Sequence, residues 1–383
     1  MCGDSKDEEQ TNEGEQASES VGGSAGEQGG QKHKVGYGIR KRASRRALLG
    51  IMIACLIVLG AVLLFQFGVF VRDAAVGTHK YFVAKERKLA VRYGSRSWVL
   101  ITGSSSGQGR EFALEFARRG FNIVLSGTPR IHGVAAEIAE LARSTPDLAS
   151  VQTRCIECDF SRAFEPAFFE PFELVARELD VSILVNNVGH RVGWNPYHEM
   201  PTQKISDCIA CGTLVQARLT HMFIPGFLAR KRSAGLKSSL INITAQCVIP
   251  TRAFSMALPN HITLPHLSVY EASNAFGFFH GSSILAEYRG QFDILNITPG
   301  AVVTQNTEQF LSRTAFAVGQ QTFVRNVIRM MGNVQGNTCA HWKHGISTHL
   351  LSAVPFMMKP TLRKTGRDIA SSYMRRYGAG EQM

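Results

Sequence analysis

The chain has 383 residues, 44% of them hydrophobic, which is ample for a sizeable core and fits one domain of about 250 residues with extensions better than two equal domains. The formal net charge is +12, but the positive charge clusters beside an apolar run and no nucleic-acid module can be found, so nucleic acid is a poor candidate partner.

Residues 1–30 hold eight acidic residues and one lysine among Gly, Ser, Gln and Asn, with almost nothing to bury. That composition predicts a disordered acidic tail. It carries −7, so the rest of the chain carries +19. Lys32 to Arg46 follows with seven Lys or Arg, which completes an acidic-then-basic tail over 1–46. Ala47 to Val71 is then uncharged for 25 residues, interrupted among polar side chains only by Gln66. At 1.5 Å per residue this run spans about 30 Å of hydrocarbon with some tilt and predicts a transmembrane helix over 47–71. A cleaved signal peptide is disfavoured, since 46 residues precede the run and no small-residue cleavage site follows. The downstream flank (Arg72, Lys80, Lys85, Arg87, Lys88, Arg92) is as basic as the upstream one, so counting positive charges leaves the orientation nearly tied. Both flanks can attract anionic headgroups at about 1 kcal/mol per well-placed cation. Residues 72–94 read as a linker.

From 95 to 340, apolar strands (98–101, 121–126, 151–156, 181–185, 239–243, 292–297) alternate with helical stretches. This is the pattern of a single α/β domain, a Rossmann-type doubly wound parallel sheet with helices on both faces and right-handed crossovers. The first strand runs into Thr102-Gly103-Ser104-Ser105-Ser106-Gly107-Gln108-Gly109, and a helical pattern opens behind it. Strand, glycine-rich turn and helix in that order suit a dinucleotide, whose pyrophosphate would sit among the unpaired N–H groups of the helix start. Gln108 stands where an apolar residue is usual. The second strand ends Leu125-Ser126-Gly127-Thr128-Pro129-Arg130, without the acid that takes the ribose hydroxyls of NAD. The cofactor choice therefore leans to NADP(H), with Arg130 as the available cation.

Further along lie Cys158-Asp159-Phe160, then Asn186-Asn187-Val188-Gly189 behind an apolar run, and later Pro299-Gly300 with Val302 and Thr304 close after. Cys155/Cys158 and Cys208/Cys211 have zinc-like internal spacing, but the pairs are about fifty residues apart. Structural thiols are the better account and no metal site is expected. Asn242 and Asn296 each begin a glycosylation sequon, but both fall on central strands and are expected to stay unmodified.

These motifs, in this order, resemble the short-chain dehydrogenase/reductase family over roughly Ser95 to Arg329. The resemblance implies that Gly103, Ser105, Gly107, Gln108 and Gly109 line the pyrophosphate, that Asp159 contacts the adenine, and that Asn187 and Gly189 belong to the Asn-Asn-Ala-Gly motif. Pro299, Gly300, Val302 and Thr304 correspond to the loop that closes over the nicotinamide. The family's catalytic tyrosine corresponds to Tyr270. Its lysine, four residues on, is Asn274 here; its serine is Ala245; its relay asparagine falls on Gly212. Thr244 is next to Ala245 but should face the other side of the strand. Ala245 and Tyr270 are 25 apart, so 247–267 is an insertion beside the site, with Ser255, His261 and His266 as conceivable substitutes.

Val188, Thr322-Phe323-Val324 followed by Gly332, the membrane segment, and an apolar run from Ile346 to Met358 are similar to the very-long-chain 3-oxoacyl-CoA reductase and 17β-hydroxysteroid dehydrogenase branch. The implied activity is NADPH-dependent reduction of a 3-oxoacyl-CoA in fatty acid elongation, or of a steroid or sphingoid ketone, by a domain on the cytosolic side of the endoplasmic reticulum membrane. Three missing catalytic residues keep two alternatives open. One is a pseudoenzyme that binds nucleotide as a subunit or regulator of a lipid-synthesis complex; the other is a membrane scaffold. Residues 341–383 read as a C-terminal amphipathic extension. The run at 346–358 is too short to span a bilayer, which leaves ordinary packing, a homodimer contact or a gate at the membrane surface.

Overall fold

The computed structural model describes residues 27–189, 196–245, 266–304 and 315–353, together with Lys364 and Ser371. The chain divides into two compact units between Asp73 and Ala74. The first is built on α1 (Glu27–Thr78), which takes in the basic stretch assigned to the tail as well as the whole apolar run. Within the described residues, Arg45–Val83 is long and apolar enough to cross a membrane. Its apolar side chains, among them Leu56, Ile57, Leu64 and Phe65, are exposed, and a helix apolar all round is stable only inside protein or hydrocarbon.

In the second unit, β1 (Trp98–Thr102), β2 (Asn122–Gly127), β3 (Thr153–Glu157), β4 (Val181–Asn186), β5 (Ser239–Ile243) and β6 (Asp293–Ile297) are the six expected strands. A seventh, β9 (Gly336–Thr338), joins them after a small pair, β7 (Val302–Val303) and β8 (Val318–Gly319). All seven main strands are parallel in the order β3-β2-β1-β4-β5-β6-β9. The order reverses between β1 and β4, and a doubly wound sheet binds its ligand in the crevice at the carboxyl ends of those two strands.

Strand alternation sorts the apolar side chains into two cores. Val99, Ile101, Ile123, Leu125, Ile183 and Val185 meet Phe112 and Phe116 of α3 (Gly107–Ala117), Val134 and Ile138 of α4 (Ile131–Ser144), and Val327 of α9 (Gln320–Met330). On the opposite face Leu100, Val124, Leu184, Leu240 and Ile294 meet Phe172 of α5 (Glu170–Glu178) and Leu219 and Phe227 of α7 (Val215–Ala234). Each such side chain, when fully buried, contributes about 1.5–3 kcal/mol. Towards the carboxyl ends this second face turns polar. Asn186 donates to Asn242 and Asn242 to Asn296, both at 2.9 Å, across three adjacent strands. The two sequon asparagines are thus buried in the sheet, as their strand positions implied. Helix α8 (Ser268–Glu287) lies over this row, and a Cβ on its Gly281 would fall 2.1 Å from Asn296 Oδ1.

The stretch expected as a linker, 72–94, is part of the fold from Ala74 on. Its charges mask two inward residues, Leu89 and Tyr93, on the short helix α2 (Leu89–Tyr93). Arg92 clasps the carboxylate of Asp293 at the start of β6 with Nε and Nη2, at 2.6 and 2.8 Å, and Tyr93 donates its hydroxyl to the same carboxylate at 2.7 Å. Asp293 is buried, so these donors replace its water. Arg230 completes the knot, donating to Asp180 and to the backbone carbonyl of Tyr93.

Removing one partner of a buried pair strands the other. Asp293→Ala should therefore cost about 3–5 kcal/mol, read as a lower urea midpoint for the detergent-solubilised protein, whereas Tyr93→Phe should cost about 1–2 kcal/mol.

Candidate active site

The glycine loop is held from behind by β4. The Thr102 hydroxyl accepts the backbone N–H groups of Asn187 and Val188 at 2.9 and 3.0 Å and donates to the carbonyl of Val185. The Asn187 side-chain amide donates to the carbonyl oxygens of Thr102, at 2.9 Å, and Gly103. Asn187, expected at the cofactor, thus uses its side chain to fix the loop that would hold it. Gly103 and Gly107 take φ of +66° and +56°, conformations that favour glycine. A Cβ on Gly109 would stand 2.1 Å from the Gly103 carbonyl oxygen and 2.7 Å from Asn187 Nδ2. Ser106 precedes α3 without capping it through its side chain, so the first N–H groups of the helix are directed at the loop. Gln108 Oε1 is buried with no hydrogen-bond partner among the described residues. Backbone donors at the helix start and glycines without side chains fit the pyrophosphate of a dinucleotide.

The adenosine side follows from β2 and β3. Buried Ser104 ties the loop to Ser126 through its hydroxyl and its N–H. Ser105 Oγ donates to the carbonyl of Thr128, and a Cβ on Gly127 would fall 2.5 Å from that same Oγ. Gly127 takes a φ of +150°, a backbone conformation that favours glycine, and Arg130 is exposed where α4 begins. Asp159, exposed after β3, accepts the N–H and hydroxyl of Ser161 through Oδ1. Gly189 is exposed beyond β4, at the limit of the described segment.

Across the crevice, Pro299 is buried and Gly300 half-buried. Val302 pairs with Val318, and the Val318 N–H donates to the carbonyl of Ala301. The Thr304 methyl lies 3.9 Å from where a Gly107 Cβ would be, so this loop does face the glycine turn.

The catalytic positions are filled differently from the pattern that the resemblance supplies. Tyr270, on the first turn of α8, packs with Met200, Ile205, Cys208 and Val269. Asn274 Nδ2 donates back to the Tyr270 carbonyl at 2.8 Å, so its amide is bound within its own helix and brings no charge. Gly212 sits in a π turn, Ala210–Leu214, between α6 (Thr202–Ile209) and α7. A Cβ there would meet Ser273 Cβ at 2.9 Å. Ser273 itself donates to the carbonyls of Val269 and Tyr270 and lies 3.4 Å from Cys208 Sγ. Ala245 follows β5 and is half-buried. Thr244, expected to face the other side of the strand, instead turns its methyl to α8, 3.0 Å from where a Cβ on Gly277 would be, because it shares the face of Asn242; its N–H and hydroxyl both donate to the carbonyl of Ile297. Of the substitutes named above, Ser255 and His261 lie outside the described residues, and His266 takes a left-handed φ of +71°.

Burial pushes the thiols of Cys158 and Cys211 up to about 12, as befits packed cysteines. Among the described residues no group of three His, Cys, Asp or Glu is arranged to hold a metal. Sequence reasoning missed His344 on α10 (Trp342–Ala353), which is fully buried and reaches the Ala301 carbonyl through Nε2 at 3.3 Å. It belongs to no motif, and only the fold brings α10 to that loop.

Residues 97–314 match the family model for short chain dehydrogenases. The chain is 30% identical over 266 residues to the very-long-chain 3-oxoacyl-CoA reductase of Aspergillus clavatus, with 67% of this chain and 70% of that protein covered. It is 28% identical over 294 residues to the enzyme of the same name from Aspergillus oryzae, with 73% and 77% covered. Among solved structures, a 7β-hydroxysteroid dehydrogenase superposes with a TM-score of 0.59 at 20% identity, covering 72% of this chain and 98% of that one. A short-chain dehydrogenase from Sphingobium yanoikuyae in complex with NADPH gives 0.51 at 20% identity, covering 72% and 95%. Both share the fold.

Burial, opposed by the hydrogen bond to Ala301 and reinforced by His341 and Lys343, lowers the His344 pKa from 6.5 to about 4. The folded state then binds fewer protons than the unfolded chain between these values, so stability falls as pH drops through that window. The loss should reach about 3 kcal/mol near pH 4, and His344→Gln should flatten that part of the curve of urea midpoint against pH.

Proposed function

Because the chain belongs to the short-chain dehydrogenase family, we propose that it is a membrane-anchored, NADP(H)-dependent reductase of lipid metabolism that converts a 3-oxoacyl-CoA, or a related lipid ketone, to the hydroxy form. Residues 47–71 are the anchor, and the domain from 95 to 340 works on the cytosolic side of the endoplasmic reticulum membrane. The observation that carries this reading is the glycine loop, braced by Thr102 and Asn187 over an open helix start. The absence of an acid after β2, with Arg130 close behind, favours the phosphorylated cofactor, and the Sphingobium yanoikuyae relative was solved with NADPH. The names of the Aspergillus relatives support the acyl substrate.

NADPH would supply the hydride; the chain must place the ketone and provide a proton. Tyr270 is the donor we assign. A phenol has an ordinary pKa near 10, and a neutral amide at 274 does not favour the phenolate as an ammonium would. Proton transfer then falls away from neutral pH, so turnover is expected to be slow. A second reading is favoured by the way the relay positions are closed, with Asn274 bonded to Tyr270 O and Ser273 packed on Gly212. On that reading the protein binds nucleotide without reducing anything and serves as a subunit or regulator of a lipid-synthesis complex.

Gly103→Asp should weaken NADPH binding at least about 100-fold in a fluorescence titration, because charge and bulk meet the pyrophosphate. With a long-chain 3-oxoacyl-CoA, NADPH oxidation should be lost in Tyr270→Phe and rise about 10-fold or more at neutral pH in Asn274→Lys. Tight NADPH binding with no oxidation in either the native chain or Asn274→Lys would favour the second reading.

A further inference from the structure

The loop that follows β6 is held at one oxygen. The Ala301 carbonyl accepts the Val318 N–H at 2.9 Å and His344 Nε2 at 3.3 Å, which uses both lone pairs of a backbone carbonyl. Because a carbonyl only accepts, that ring nitrogen carries its proton. Three residues on, the chain has reached the glycine turn, with the Thr304 methyl 3.9 Å from the place of a Gly107 Cβ. Ala301 is therefore the fixed point from which this stretch crosses the crevice. His344 is itself firmly held: it is fully buried, its ring centre lies 6.2 Å from that of Phe323, and Ser347 and Thr348 donate their hydroxyls to its carbonyl. α10 is fastened a second time at the exit of β6. Cys339 Sγ lies 3.3 Å from Thr348 Oγ1 and 3.5 Å from Thr298 Oγ1, and the Thr298 N–H donates to the Thr338 carbonyl at 3.0 Å.

We propose that His344 is a positioning residue for the nicotinamide half of the cofactor, acting through the Ala301 carbonyl to hold the loop 299–304 in the conformation that closes over the ring. The inference rests on the NADP(H) reading above and adds to it a residue of α10 that no motif picks out. Its basis is the cost of ordering. A ligand that needs one loop conformation binds more weakly in proportion to the time the loop spends in others. The Val318 N–H alone would leave Ala301 free to swing about a single hydrogen bond. Two donors from different elements, β8 and α10, fix the carbonyl in two directions. The effect is confined to one half of the ligand. The adenosine half would lie at the ends of β2 and β3, which β1, β4 and β5 separate from β6.

The test is isothermal titration calorimetry on the full chain in detergent, comparing NADPH with 2′,5′-ADP, which keeps the phosphorylated adenosine and lacks the nicotinamide half. His344→Leu removes the donor and keeps the site filled; His344→Gln retains an N–H donor. In His344→Leu, NADPH affinity should fall about 10-fold while 2′,5′-ADP affinity stays within about twofold of wild type, the retained ligand also showing that the variant is folded. His344→Gln should recover most of the NADPH affinity. Unchanged NADPH affinity in His344→Leu, an equal loss of both ligands, or no recovery in His344→Gln overturns the positioning role and leaves the cofactor reading intact. Wild-type protein that binds neither ligand overturns the cofactor reading, and this inference falls with it.

Discussion

The grip of β4 on the end of β1 is the constraint from which the site follows. The loop between β1 and α3 must turn through two left-handed glycines and still present its N–H groups outward. Ser104 and Ser105 tie one side of the loop to the end of β2, and the other side is held from β4. There the hydroxyl of Thr102 and the amide of Asn187 occupy carbonyls and N–H groups that would otherwise face a crevice. The parallel order of the sheet makes the contact available, because β1 and β4 are neighbours only where the winding changes direction. Anion-binding capacity here is a consequence of topology first and of residue choice second.

Across the cleft, the positions that the resemblance would make catalytic are filled by packed side chains. A π turn remains between α6 and α7, and the space beside Gly212 is taken by Ser273 from the helix that carries Tyr270. Ser273 satisfies its own hydroxyl against two carbonyls of that helix, and Asn274 likewise turns inward. The altered positions are therefore packed and hydrogen-bonded. Buried polar groups satisfied in this way cost the fold little stability.

The fold could be read closely from the chain because buried parallel strands are long apolar runs, and six of them carried the signal. The seventh, Gly336–Thr338, has three residues and little apolar character, so periodicity was silent. The segment before Trp98 read as a linker for a related reason. Its charges are conspicuous, but Arg92 is partnered 201 residues away by Asp293, a distance no local pattern can cross. The glycine turn was legible from its spacing, and Gly103 and Gly107 take the left-handed φ that the turn needs. The brace by Asn187, the plug by Ser273 and the tie through His344 depend on which helix lies over which strand end, and that is decided only by the packed structure. Three strands each carry an asparagine near the carboxyl end, a usable signal for the polar row, although Asn242 and Asn296 read locally as sequons and Asn186 as part of the Asn-Asn-Val-Gly stretch.

That row has a property of its own. Asn186 donates to Asn242 and Asn242 to Asn296, in one direction along the sheet, and Asn186 Oδ1 and Asn296 Nδ2 at the two ends have no partner among the described residues. Rotating the middle amide alone would set donor against donor on one side and acceptor against acceptor on the other. The three must turn together, and the Thr220 hydroxyl at the β4 end can serve either sense because it both donates and accepts. The polarity of the row is thus a collective variable, shared by strands that meet the crevice on one side and the α8 helix on the other. A change of charge at either end would be felt by all three side chains at once.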